Sequence, residues 1–174
     1  NIEIKVKADI TAPTQSAVTV TAEFDEDKFT IKQYSVDGKA NWIDYTGAIT
    51  MSANGTIYFR GENDEGYVAQ VSYTVDNIDN EAPAKPTASA NEQPTNKNVM
   101  VYAVFSADSV TKEYSFDQKV WRTYTNGVEM ENNGTVYFRG KDAAGNVSDV
   151  TEYHVENIDK TAPAKPTASA NEQP

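Results

Sequence analysis

Val18-Thr19-Val20-Thr21-Ala22-Glu23-Phe24 alternates apolar with polar residues over its whole length. Further on, Val99, Val101, Ala103 and Phe105 occupy the same register. Such a period of two, rich in β-branched and aromatic residues, is the pattern of a strand with one buried face. It recurs where Ile57 and Phe59 alternate with Tyr58 and Arg60, and where Val136 and Phe138 alternate with Tyr137 and Arg139. Val71, Tyr73 and Val75 alternate with Ser72, Thr74 and Asp76 in the same way. No window offers a convincing helix.

The alternation belongs to a repeat. Ala82 to Pro94 returns letter for letter as Ala162 to Pro174, Asn77-Ile78-Asp79 as Asn157-Ile158-Asp159, and Tyr58-Phe59-Arg60-Gly61 as Tyr137-Phe138-Arg139-Gly140. The offset of 79 to 81 makes one unit about 80 residues, the size of a small domain. Residues 1–80 and 81–160 are read as two units, and 161–174 as the start of a third.

About seven short strands per unit, separated by turns, predict an all-β chain of two tandem β-sandwiches with Ig-like or fibronectin III-like character. Asn54-Gly55 and Asn133-Gly134 read as type I′ hairpin turns. Asp37-Gly38 reads as a further tight turn. Gln118 replaces that glycine and one residue is missing nearby, which predicts a different geometry in the second copy. The extra residue at Thr151-Glu152 predicts a β-bulge. Pro83 and Pro86 stiffen the segment from Asp79 to Pro86, and the expected arrangement is two rods in series.

The chain has 174 residues, no cysteine and a formal net charge of -11. Residues 1–80 carry 13 acids against 6 bases, and residues 81–160 carry 12 against 8. Neither unit has a basic stripe, which argues against nucleic acid or an anionic membrane surface as partner. No apolar run is long enough to span a bilayer as a helix. Absence of cysteine leans toward a bacterial source if the chain is exported.

Tyr34-Ser35-Val36-Asp37-Gly38, Trp42, Tyr45-Thr46-Gly47, Asn54 to Arg60 and Asn77-Ile78-Asp79 resemble the Ig-like repeats of bacterial surface proteins. Asp142-Ala143-Ala144-Gly145-Asn146 and Asn157 to Pro163 resemble them more closely still. Repeats of this kind build the stalks of large cell-surface adhesins and autotransporter-like proteins. The resemblance implies an extracellular location at the bacterial cell surface and neighbouring repeats of the same chain as partners. It also implies Ca²⁺ at loops near domain junctions. Asp142 and Asp159 are then the candidate ligands, with Asp64 and Asp79 as approximate counterparts. Calcium needs six to eight converging oxygens, and the alternative is that Asp142 and Asn146 cap a turn.

Trp42 and Trp121, with Tyr34 and Tyr45 or Tyr114 and Tyr124, could form aromatic platforms for sugar rings. The Tyr-Ser-x-Asp-Gly pattern also resembles small β-domains attached to carbohydrate-active enzymes. Core packing is the favoured reading of both tryptophans, because each occupies one position in a repeated module. His154, between the inward Tyr153 and Val155, is expected to face solvent and to make neither a zinc site nor a triad. Asn54, Asn133 and Asn146 head glycosylation-like triplets that turn chemistry explains without a glycan. No trio of Lys, Asn and acid stands out for a cross-link. Nor is there a P-loop, GxSxG or HExxH motif, so no enzyme is expected. The expected function is a structural spacer that projects an adhesive or binding region. The alternatives are a repeat that binds glycan or host protein, or an accessory domain of a secreted carbohydrate-active enzyme.

Overall fold

The computed structural model describes residues 3–171. The first unit contains β1 (Ile4–Ala8), β2 (Val18–Phe24), β3 (Ile31–Ser35), β4 (Ile43–Asp44), β5 (Ile49–Met51), β6 (Gly55–Glu62) and β7 (Val68–Val75). Its strands form a three-stranded sheet, β1-β2-β5, and a four-stranded sheet, β4-β3-β6-β7. The second unit repeats the scheme with β8 (Thr87–Ser89), β9 (Val99–Val104), β10 (Thr111–Ser115), β11 (Arg122–Thr123), β12 (Val128–Met130), β13 (Gly134–Lys141) and β14 (Thr151–Val155). There the sheets are β12-β9-β8 and β11-β10-β13-β14. In an Ig constant-type domain the fourth strand joins the sheet of the first. Here β4 pairs with β3 instead, at Gln33↔Asp44 and Tyr34↔Ile43, which gives the three-plus-four division of a fibronectin III-like sandwich. No helix among the described residues is long and apolar enough to cross a membrane.

Each unit has its own core. Val18, Val20, Ala22 and Phe24 of β2 are buried, as their alternation predicts, against Ile57 and Phe59 of β6. Val99 and Val101 face Val136 and Phe138 in the second unit, with Ala103 and Phe105 only partly buried. Gly61 is bare because Phe29 lies across it: a Cβ there would sit 2.7 Å from the ring. Gly140 holds the same place beneath Ser109, the counterpart of Phe29. By compactness the chain divides into Asn1–Pro83 with Lys141–Val147, and Ala84–Gly140 with Ser148–Pro174.

Two sequence readings are met. The β6–β7 ladder runs unbroken from Gly55↔Val75 to Glu62↔Val68. The β13–β14 ladder runs from Gly134↔Val155 to Phe138↔Thr151 and resumes at Lys141↔Val147. Between those pairs Arg139 and Gly140 face Ser148, Asp149 and Val150, so the last strand has its bulge there, just before Thr151-Glu152, which pair regularly with Phe138 and Tyr137. Gly38 and Lys39 have φ of 73° and 74°, whereas the shortened second turn has a single left-handed residue, Gln118, at 58°.

One reading is corrected. Asn54-Gly55 and Asn133-Gly134 are not type I′ hairpins, because that turn needs positive φ at both residues and none of the four has it. The strands flanking each pair lie in opposite sheets, so no hairpin exists for them to close.

The exact repeat also separates sequence from context. Thr87-Ala88-Ser89 is a strand because β9 offers it the partners Val104, Ala103 and Tyr102. The identical Thr167-Ala168-Ser169 has no partner strand and is irregular. Of the expected third unit, residues 161–171 carry no regular structure, and 172–174 lie outside the described residues.

Candidate functional site

The residues that recur between the copies converge on one device. Asn54 Nδ2 donates to the Ile78 carbonyl at 2.9 Å, and Ile78 N–H donates back to Asn54 Oδ1 at 3.0 Å. Asn133 and Ile158 repeat both bonds at 2.9 Å. The preceding Asn77 donates from Nδ2 to the carbonyls of Ile10 and Ala12, and Asn157 to those of Asn91 and Gln93. Thr14 and Thr95 complete the clasp through parallel bridges to Ile78 and Ile158. Asn-Ile-Asp therefore fastens the end of each unit to its own start. The glycosylation-like asparagines 54 and 133 have their amides committed to this clasp.

Tyr45 and Tyr124 serve the same end. They follow β4 and β11, and their hydroxyls accept from the N–H groups of Ala22 at 2.9 Å and Ala103 at 3.0 Å. Each phenol thus bridges from one sheet to the other.

The turn after β3 contains the most perturbed carboxylate. Asn41 N–H and the Ser35 hydroxyl donate to Asp37 Oδ1 at 3.0 and 2.7 Å, and Asn41 Nδ2 donates to Oδ2 at 2.7 Å. These bonds, the Asn41 backbone foremost, hold its pKa at about 2 against an ordinary 3.8. In the second copy Val120 replaces Asn41. Asp117, bound by the N–H groups of Val120 and Lys119, is lowered without a side-chain amide. A depressed folded pKa stabilises above the unfolded value and is lost on acidification. The first unit is therefore expected to lose the Asp37 contribution as pH falls from about 3.8 to about 2. Asp37→Asn should flatten that segment of a melting-temperature profile, and an unchanged slope would contradict the assignment.

The tryptophans depart from expectation. Neither belongs to a core; both are half-buried beyond the four-stranded sheets. The Arg139 guanidinium lies 4.0 Å from the Trp121 ring centroid, and Arg60 lies 5.7 Å from that of Trp42. Sequence periodicity missed this because both residues precede two-residue edge strands, where alternation is too short to set a face.

The two arginines are not equally satisfied. Arg139 Nε donates to Glu113 at 2.7 Å. Arg60 pairs through Nη2 with Glu62, and among the described residues its buried Nε has no hydrogen-bond partner. Gln33 stands where Glu113 stands, and its cross-strand neighbour Asp44 replaces Thr123. Gln33→Glu alone would set two carboxylates opposite each other. Gln33→Glu with Asp44→Thr copies the second unit and is expected to stabilise the first by about 1 kcal/mol, read as a higher urea midpoint. No gain in the double variant would contradict the assignment.

Of the four calcium candidates, Asp79, Asp142 and Asp159 cap turns, and Asp64 does not. Asp142 accepts from Asn146 N–H at 2.9 Å and from Asn146 Nδ2 at 2.8 Å. Burial pushes its carboxyl up, but the Asn146 side chain and backbone outweigh that and leave it below its ordinary value. Asn63, not Asp64, plays this part in the first copy, accepting from the N–H groups of Glu65 and Tyr67. Asp64 accepts from the Thr30 hydroxyl, Asp79 from Glu81 N–H and Asp159 from Thr161 N–H. Among the described residues no three of His, Asp and Glu gather.

His154 is exposed as expected, between Thr135 at 2.8 Å and Glu152 at 3.0 Å. It borders an open depression of about 280 Å³ lined by Glu92, Tyr153, His154, Glu156 and Asn157. Lys160 Nζ does lie 3.0 Å from Asn98 Oδ1, and Asn98 Nδ2 lies 3.2 Å from Glu129. All three are exposed, whereas a cross-link needs the trio to converge in a buried place. One surface feature escaped the sequence reading. The outward residues of β9 are Met100, Tyr102 and Val104, exposed by 39%, 52% and 70%, where β2 has Thr19, Thr21 and Glu23.

No family model matches the chain, and no curated protein does. Among solved structures it is similar to the fibronectin(III)-like modules of Clostridium thermocellum CbhA. The identity is 12% over 95% of this chain and 100% of that chain, with a TM-score of 0.35.

Proposed function

We propose that this chain is a non-catalytic structural repeat of an exported bacterial surface protein, a spacer that projects an adhesive or binding region from the cell. The observation that carries the reading is what recurs between the copies. Asn54 and Asn133, Asn77 and Asn157, Tyr45 and Tyr124, and the buried Ser35 and Ser115 all make bonds that hold a unit together. Several outward positions differ: Thr74 against His154, Gln33 against Glu113, Thr21 against Tyr102. A repeat that works by folding keeps its clasp and lets its surface vary. Neighbouring repeats of the same chain are its partners, and an array of such units acts as a quasi-one-dimensional body. Solution scattering from arrays of one, two and four units tests this. A maximum dimension that grows by a constant step per unit supports the spacer; growth that levels off sinks it.

A second reading, a repeat that binds glycan, has one observation of its own. Trp42 and Trp121 recur and lie outside both cores, and indole faces stack on sugar rings. The arginine over each ring competes for that face. Tryptophan fluorescence titrated with soluble oligosaccharides separates the readings: a saturable change lost in Trp121→Ala favours binding, and a flat response favours the spacer.

A further inference from the structure

We propose that Asn126 is a site of spontaneous deamidation built into the second unit, and that the clasp shields the other two Asn-Gly pairs from the same chemistry. The chain contains three such pairs, at Asn54, Asn126 and Asn133. An Asn-Gly pair reacts when three conditions meet. The side chain must be free to swing onto the backbone, the next residue must lack a Cβ that blocks approach, and the next N–H must be unheld.

Asn126 meets all three. It is exposed, in the bend before β12. Among the described residues neither its side chain nor the N–H of Gly127 has a hydrogen-bond partner. Asn54 and Asn133 fail the first condition, because Oδ1 and Nδ2 of each are held by Ile78 or Ile158. The glycines that follow them are also fixed, as the first residues of β6 and β13. Reaction there requires the clasp to open first, and local opening draws on the free energy of the unit.

The reaction balances with water alone. The Gly127 amide nitrogen attacks Cγ of Asn126, so that a C–N bond forms and the Cγ–Nδ2 bond breaks. The departing nitrogen carries off the Gly127 amide proton as part of ammonia and leaves a cyclic imide. Water then opens either carbonyl, giving aspartate or its β-linked isomer. Each product has a new carboxylate, and the isomer also lengthens the main chain by one carbon immediately before β12.

The fold preserves this labile pair. Gly127 has a φ of 131°, and a Cβ there would stand 3.0 Å from Met100 Sδ and 3.2 Å from Tyr102 Cε1. Any larger residue would be strained and would collide with the exposed stripe of β9, so the glycine stays. The first copy has Gly47-Ala48 in its place, between Tyr45 and β5 as Asn126-Gly127 lies between Tyr124 and β12, and so offers no asparagine there. The chemistry is therefore confined to the second unit, where it adds charge beside the Met100–Tyr102 stripe as the protein ages.

Folded chain incubated at mildly alkaline pH and mapped by peptide mass spectrometry tests the proposal. Asn126 is expected to convert more than about tenfold faster than Asn54 or Asn133, since two hydrogen bonds protect each of those. In denaturant the three rates should converge. Asn126→Thr, which takes away the reacting amide, should remove most of the ammonia released by the folded chain. Equal rates at the three sites in folded protein, or undiminished ammonia from Asn126→Thr, would overturn the proposal.

Discussion

Phe59→Ala is expected to destabilise the first unit by about 3–5 kcal/mol while leaving the melt of the second in place. Phe59 is fully buried on β6 and meets Phe24 and Tyr45 edge-on, with ring centroids 6.5 and 5.7 Å away. Both neighbours are themselves fixed, Phe24 by β2 and Tyr45 by its bond to Ala22, so the surroundings cannot collapse into the space left behind. A small domain has about 5–15 kcal/mol in all, and the variant first unit should be largely unfolded at moderate temperature. The two cores share no residue. Calorimetry of the whole chain is therefore expected to show one transition shifted far down and one unmoved. A shift of both together would mean that the units fold as one.

Asn133→Ala should cost the second unit about 2–4 kcal/mol, although it removes a small side chain of an exposed residue. The substitution deletes two bonds and leaves the N–H and carbonyl of Ile158, itself 9% exposed, without their partner. An orphaned buried polar group costs about 1–3 kcal/mol, more than a satisfied bond contributes. Asn133→Asp separates the clasp from simple packing. Its carboxylate can still accept from Ile158 N–H but cannot donate to the carbonyl, so it should be destabilised despite its matching shape. A urea midpoint for Asn133→Asp equal to that of the parent would remove the clasp from the account. Asn54→Ala and Asn54→Asp should act in parallel on the first unit.

These two residues mark the boundary of what the sequence makes legible. Phe59 could be assigned inward from alternation alone, because a strand's faces follow from local order. So could the residues of β2, and the residue-count difference announced a bulge, though it lies at Ser148–Val150 and not at Thr151-Glu152. Asn54 could not be assigned that way. Its pairing with glycine is the standard hairpin signal, but its partner is Ile78, and only the placement of β5 and β6 in opposite sheets shows that no hairpin is present. The same limit hid the role of Asn77, read only as part of a recurring triplet. It also hid that Asp79 and Asp159 each cap a turn through a residue two places on. The tryptophans failed for another reason: a recurrent aromatic suggests a core, yet recurrence is equally satisfied by an arginine stacked on it in both copies. Long-range pairing and side-chain stacking between strands are absent from a local pattern.

The account rests on two self-contained modules, each closed by its own clasp, and pulling a single chain by its two ends tests that most directly. Two separate unfolding events are expected, each releasing the extended length of about 75 residues, roughly 260 Å less the span of the folded unit. With Asn133→Ala one of the two should move to lower force and the other stay. A single event that releases both units at once, or extension without any event, would contradict the account.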